Sequence, residues 1–334
     1  DQFASGFASL RYGSLTLQGG FVRRDKNAAL APYGTAFNVA QPTLDARAFA
    51  SLSYANELGD DWEVSARAYY DRYTLDVDYP NDVADPGDPR AIRWNIERDQ
   101  AEWIGFETQV SKTLLQHHRV TLGAEARYDF HLSMTSYDID PFELASDFSD
   151  QAGRVGAFLQ DEITLLDTLS ANVGLRYDYY ATFGDTVNPR AGLIYHPAEK
   201  TTIKALYGQA YRAPNVWEYG FDNFYQRSNP NLGPETIQSY ELVLEQYFGS
   251  ETRLSVSGFF NDTQDLIGAT PSTDPADSRE YFSNLEQARA LGAEFEAEYR
   301  TRSGWLARAS YTLQRAEDVQ SGAELSNSPQ HLLK

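Results

Sequence analysis

The sequence predicts an all-β fold: an antiparallel transmembrane β-barrel, of which these 334 residues supply about fifteen strands. Three observations carry that expectation. Apolar and polar residues alternate in phase for about a dozen positions at a time, short turns and longer connections succeed one another strictly, and aromatic residues gather at the strand ends.

The alternation is clearest in "TLSANVGLRYDYY" (168–180). Leu169, Ala171, Val173, Leu175, Tyr177 and Tyr179 share one face, and Ser170, Asn172, Gly174, Arg176 and Asp178 share the other. Residues 120–132 repeat it, with Val120, Leu122, Ala124, Ala126, Tyr128, Phe130 and Leu132 against Thr121, Gly123, Glu125, Arg127, Asp129 and His131. So do residues 305–314, with Trp305, Ala307, Ala309, Tyr311 and Leu313 on the apolar face. Period two means strands with one apolar and one wet face. Globular strands usually stop at about 5–6 residues. About twelve residues at ~3.3 Å each, tilted by ~45°, cover about 28 Å, the height of a bilayer core.

In chain order, short turns fall at 12–14, 56–60, 115–118, 166–167, 197–200, 249–251 and 301–304. Longer connections fall between them at about 25–43, 79–100, 136–151, 183–187, 212–234, 268–288 and 318–329. Outer-membrane barrels have short periplasmic turns and long extracellular loops. Tyr54, Trp62, Phe248, Tyr299 and Trp305 adjoin short turns, while Tyr128, Phe130, Tyr177 and Tyr179 lie toward the longer connections. Amphipathic rings settle at the two membrane–water interfaces, so two such belts fit a bilayer. Single-chain bacterial barrels have an even number of strands. An odd count whose last strand only begins at "HLLK" reads as part of a larger barrel.

Composition agrees. A net charge of −20 excludes the basic footprint a nucleic-acid binder needs, so no nucleic-acid partner is expected. No run of about 18 apolar residues offers a transmembrane helix. The chain has no cysteine, hence no disulfide or thiolate metal site, and 22 tyrosines and 18 phenylalanines favour strands.

Several segments resemble, in the family's order, the barrel of TonB-dependent outer-membrane receptors: "LQDE" (159–162), "GLRYD" (174–178), "NPRAGL" (188–193), "YGQAYRAPN" (207–215), "NPNLGPE" (229–235) and "NSPQHLLK" (327–334). The likeness runs from about residue 44 to the end and looks closest to the branch importing iron complexes and cobalamin. It implies a bacterial outer-membrane location and a 22-stranded barrel filled by an N-terminal plug. This chain would then be a partial barrel domain over 1–334, with the plug and the last strands outside it. It also implies uptake of a scarce ligand, foremost a ferric siderophore, energised by the TonB complex through the N-terminal region. A cobalamin or other nutrient receptor, or a passive porin, are the alternatives. Outer-membrane lipid and lipopolysaccharide would surround a monomer, and no cofactor is implied.

In that topology the aromatic stretch 211–235 is extracellular. Trp217, Tyr219, Phe221, Phe224 and Tyr225, with Arg227 for an anionic ligand, are candidate ligand contacts; so are Trp94, Tyr137 and Phe142 in the neighbouring connections. The competing reading is that Pro214, Pro230 and Pro234 fix a loop whose rings pack on one another. The stretch has too many prolines and glycines to be helical. Asp82, Asp85 and Asp88 have oxygen-ligand spacing for calcium but lack the EF-hand pattern, so a solvated loop is expected and no metal site. Glu125, Arg127, Asp129, Glu162, Arg176, Asp178, Glu294, Glu296, Glu298 and Arg308 should face the lumen and pair across strands. No catalytic residues are expected: G-x-S-x-G and H-E-x-x-H are absent, and His117 and His118 read as solvated turn residues.

Overall fold

The computed structural model describes residues 1–28, 31, 34–59, 62–223, 225–272, 276–277 and 279–334. The chain runs up and down through β1 (Gln2–Tyr12), β2 (Leu15–Ala28), β3 (Gln41–Leu58), β4 (Trp62–Asp82), β5 (Ile92–Leu114), β6 (His118–Asp138), β7 (Glu143–Leu166), β8 (Leu169–Tyr180), β9 (Gly184–Ala198) and β10 (Thr201–Arg212). A short helix, α1 (Val216–Gly220), and a two-residue strand, β11 (Gln226–Arg227), follow. The wall resumes with β12 (Glu235–Phe248), β13 (Thr252–Pro271), β14 (Glu280–Arg300), β15 (Leu306–Asp318) and β16 (His331–Leu333). Fifteen strands form one antiparallel path in chain order, with β11 added parallel to β14. The path is open: β1 pairs with β2 and β16 with β15, and the two ends do not meet.

The two faces follow the alternation. Leu122, Leu159 and Leu175 are exposed at 59%, 53% and 53%, whereas Thr121, Asp129 and Asp178 in the opposite phase are buried. The exposed apolar face meets lipid, and the polar face lines the lumen. On that inner face Arg176 bridges Glu125 and Asp178, Arg47 pairs with Asp71, and Arg127 pairs with Asp129. Arg47 and Arg127 also lie over the Trp103 ring, at 5.8 and 4.0 Å from its centroid. Arg253 joins Glu245 to Glu296, and Arg308 meets Glu298. The lumen charges pair across strands, as expected, at Arg176–Glu125, Arg47–Asp71, Arg253–Glu296 and Arg308–Glu298, and also within one strand at Arg127–Asp129 and Arg176–Asp178.

Strand length departs from expectation. β4 to β7 hold 21, 23, 21 and 24 residues, where about 9–11 cross the hydrocarbon. The surplus dozen rises about 28 Å beyond the membrane at ~3.3 Å per residue and ~45° tilt. The connection expected over 136–151 is therefore mostly ladder, closed by a turn at 139–142.

A bulge also breaks the alternation expected over 120–132. Trp103 pairs with Asp129 and Glu102 with His131, leaving Phe130 extra on β6. Beyond it the phase inverts: Leu132 and Met134 are buried with Ser136 and Asp138 on the inner face, and His131 turns outward with Glu102. His118 is not a turn residue either; it opens β6, with Nδ1 2.7 Å from Asp161 Oδ2.

Candidate functional site: the extracellular mouth

The rim is uneven. β8 and β9 turn back at 181–183, while β7 on one side and β14 on the other climb higher. Residues 213–234 occupy the notch. Their base is clasped by Arg212, whose Nε and Nη2 donate to Glu235 at 2.6 and 2.7 Å and whose Nη1 donates to Glu218 at 2.9 Å. Burial pushes the Glu235 carboxyl up, but Arg212 and the Ile267 N–H outweigh it and hold it below its ordinary value.

The next residues form a helix, contrary to expectation. Asn215 caps α1: its side chain accepts from the Glu218 N–H, and the Glu218 carboxylate accepts from the Asn215 N–H. This reciprocal capping box satisfies backbone donors that a single turn of helix leaves unpaired. It is legible as N-x-x-E in "NVWE", the signal that the count of prolines and glycines obscured.

The loop is bolted to both sides of the notch. Toward β7, the Tyr219 ring meets Phe148 edge-on at 6.0 Å and its hydroxyl reaches Asp150 at 3.4 Å. Burial, then the Asp150 charge, pushes the Tyr219 hydroxyl pKa upward. Toward β14, Trp217 packs edge-on against Phe282 at 5.0 Å, Asn229 donates to the Phe282 carbonyl, and Gly233 exchanges two bonds with Asn284. Arg279 ties Asp222 to Asp277 and holds the Asp277 carboxyl at about 2.

The candidate contacts thus divide. Trp217 and Tyr225 remain exposed at 47% and 81%. Tyr219 is part of the fastening. Arg227, on β11, lies 3.9 Å from Asp277 and over the Tyr281 ring at 4.8 Å, so its charge is already engaged. Phe224 lies outside the described residues. Phe142 is exposed in the 139–142 turn, its ring 5.9 Å from Tyr137. Trp94 and Tyr137 stand on β5 and β6, not in connections, and strand phase puts both on the outer face with Ile104. The loop brings Trp217, Tyr219, Tyr225 and Arg227 into one neighbourhood, and the 139–142 turn gathers Tyr137 and Phe142 at a separate one. Arg212, Glu218, Glu235, Phe148, Phe282 and Arg279 are the fastening residues that sequence reasoning missed. Glu218 carries a local capping signal, whereas Arg212 and Glu235 meet through ladder register and Phe148 and Phe282 reach the loop from distant strands, which no local pattern announces.

Further along the inner face of β5, Glu97 and Asp99 lie side by side. Burial, then the Glu97 charge, pushes the Asp99 carboxyl up to about 8, and burial pushes Glu97 up as well. Asp82 accepts from the Ala84 and Ala91 N–H groups and serves the 83–91 turn. No metal-holding group of three or more acidic or histidine residues occurs among the described residues.

An open-ended wall of this size, lipid-facing outside, charged inside and mouthed by long strands, defines a part of an outer-membrane barrel. The family model for the TonB dependent receptor-like β-barrel matches residues 2–334, and the chain belongs to that family of bacterial outer-membrane receptors and transporters. Heme/hemopexin utilization protein C of Haemophilus influenzae (strain 86-028NP) is 26% identical over 70% of this chain and 39% of its own length. The iron-regulated outer membrane virulence protein of Vibrio cholerae (El Tor Inaba N16961) is 25% identical over 79% of this chain and 43% of its own. The chain thus spans between about a quarter and two fifths of the length of the curated relatives it matches. Among solved structures, the pyoverdine outer membrane receptor FpvA of Pseudomonas aeruginosa PAO1 superposes with a TM-score of 0.74 over 99% of this chain and 56% of that one, at 15% identity. The siderophore receptor PirA of Acinetobacter baumannii gives 0.74 over 99% and 55%, also at 15%. These likenesses concern the fold.

Proposed function

We propose that the full-length protein captures a ferric siderophore at its extracellular mouth and imports it with energy delivered by the TonB complex. It is a receptor and transporter, not an enzyme, and works as a monomer among outer-membrane lipid and lipopolysaccharide. The observation that carries this reading is the loop over 213–234, fastened on both sides yet leaving the Trp217 and Tyr225 rings at the mouth. Aromatic side chains that become buried on binding are the usual energetic anchors of an interface. The iron-related names among the relatives support the ligand class. TonB contact would fall to a region outside this span.

The test is ligand binding and iron uptake by the full-length protein in iron-limited cells. Binding of a ferric siderophore with uptake that stops when the inner-membrane proton gradient is collapsed supports the proposal. Gradient-independent flux of small solutes in planar bilayers would assign the protein to the passive porins instead. Cobalamin or heme uptake, names carried by other relatives, would replace the ligand but keep the mechanism.

A further inference from the structure

On the lipid-facing side of the periplasmic half, charge is confined to one spot. From β3 to β14, the outward-facing strand residues near the short turns are aliphatic, aromatic or uncharged polar, except Lys112, His118 and Asp161 among the described residues. Their facing follows from phase: Lys112 and His118 alternate in step with exposed Leu114 and Leu122, and Asp161 with exposed Leu159 and Leu165. The three occupy adjacent strands. Lys112 and Asp161 both pair with Val120, and His118 pairs with Leu114 and Ile163. Lys112 and His118 are therefore diagonal cross-strand neighbours, about 7–8 Å apart.

Each side chain is oriented. His118 Nδ1 lies 2.7 Å from Asp161 Oδ2, which leaves Nε2 as the nitrogen free to face outward. The second Asp161 oxygen is enclosed and has no hydrogen-bond partner. Lys112 Nζ lies 4.5 Å over the Trp62 ring and makes no ion pair among the described residues. A tryptophan shelf marks the headgroup level, and a lysine there keeps its ammonium at the polar edge. Lys112 leans toward Trp62 on β4 and His118 toward Asp161 on β7, from diagonal strand positions at the height of the 115–117 turn. In the doubly protonated ring, with Nδ1–H on the Asp161 carboxylate, Nε2–H is a second donor beside the lysine ammonium. An anion with several acceptor oxygens satisfies both.

We propose that Lys112 and His118 bind the phosphate of a glycerophospholipid in the periplasmic leaflet, with Asp161 as the residue that positions the imidazole. The Trp62 shelf lies where the lipid's glycerol region would run. Aqueous phosphate offers the same oxygens, but the site opens sideways onto hydrocarbon, where a lipid phosphate already resides.

Native mass spectrometry of the full-length protein in mild detergent, after delipidation and re-addition of phosphatidylethanolamine and phosphatidylglycerol, counts the phospholipids retained. Lys112→Gln combined with His118→Gln should lower retention of the tightest-bound lipid about tenfold. Lys200→Gln, which removes a cation from a periplasmic turn away from the site, should leave it unchanged. Asp161→Asn should give a partial loss, rescued by Asp161→Glu, and should shift the His118 ring nitrogens in ¹⁵N spectra. Heat-modifiable gel mobility checks that each variant folds, and Lys112→Gln alone serves if the pair does not. Undiminished retention in a folded Lys112→Gln or double variant overturns the site. So does an equal loss in Lys200→Gln, or displacement of the lipid by inorganic phosphate.

Discussion

Replacing Arg176 by methionine removes the charge at the centre of an ion cluster on the inner wall that holds the buried Asp178. Arg176 Nε and Nη2 donate to Asp178 at 2.8 and 2.5 Å, and Nη2 also donates to Glu125 at 2.6 Å. Asp178 is 2% exposed, and Gly156 closes the box: a Cβ there would sit 2.4 Å from Asp178 Oδ1. Without Arg176 the Asp178 carboxylate is a buried, uncompensated charge, which costs about 3–5 kcal/mol. Glu125 adds little, because its side chain is 39% exposed and water can take over. Removing both charges, Arg176→Met with Asp178→Asn, should recover most of the loss, since exchanging a buried pair for neutral groups is often near neutral. The assay is a urea titration of the full-length barrel folded into lipid vesicles, read by heat-modifiable migration. The expected order is wild type, double variant close behind, single variant well below. A single variant within about 1 kcal/mol of wild type, or a double variant as damaged as the single, refutes the account of an enclosed cluster.

Further outcomes follow from the same geometry. Val173→Arg, on the lipid face, should destabilise the folded barrel by about 2–4 kcal/mol more than Asn172→Arg on the lumen face, and equal urea midpoints would reverse the face assignment. Trp217→Ala with Tyr225→Ala should weaken ligand binding by at least tenfold at normal surface display, the loss of about 1.4 kcal/mol expected of anchor rings. Asn215→Ala should cost about 1 kcal/mol locally and raise protease cleavage within 213–234 without changing the barrel's melting. Asp99 titrates at about 8 in the folded wall against about 3.9 in an unfolded chain, so between those values the folded state holds a proton the unfolded state has lost. Stability should therefore fall as pH rises from 4 to 8. Asp99→Asn should flatten that slope in urea midpoints taken at pH 5 and pH 8.

Within the membrane the wall was legible because lipid on one side and a wet lumen on the other leave no freedom in the phase of side chains. Val173, Leu175, Tyr177 and Tyr179 face outward as the alternation requires, with Asp178 inward. Above the membrane that contrast disappears, since water reaches both faces. "SYDIDPFELASDFSDQ" then reads as an acidic connection, although its backbone continues the β6–β7 ladder. The bulge at Phe130 was invisible for a related reason: Leu132 stays apolar after the phase inverts, because it packs inside. The loop's aromatic content was plain, but its fastening was not. Arg212 and Glu235 stand 23 positions apart and meet only through the β10–β12 register. Asp161 was within reach, since in "LQDE" it shares the phase of Leu159, the lipid-facing residue two positions earlier.

The Arg212–Glu235 clasp makes residues 213–234 an exchangeable cassette. The two residues face each other as the last rung of the β10–β12 ladder, so the insert leaves and rejoins the wall at this ionic rung, with its further fastenings on β7 and β14. A graft that keeps this rung, a capping glutamate at position 218 and partners for Phe148, Asp150, Phe282 and Asn284 inherits the anchorage without altering any membrane-spanning residue. New ligand preferences can then arise by replacing the insert while barrel assembly, set by the rungs beneath, continues undisturbed. Chimeras cut at 212 and 235 are the natural unit for transplanting recognition between members of the family.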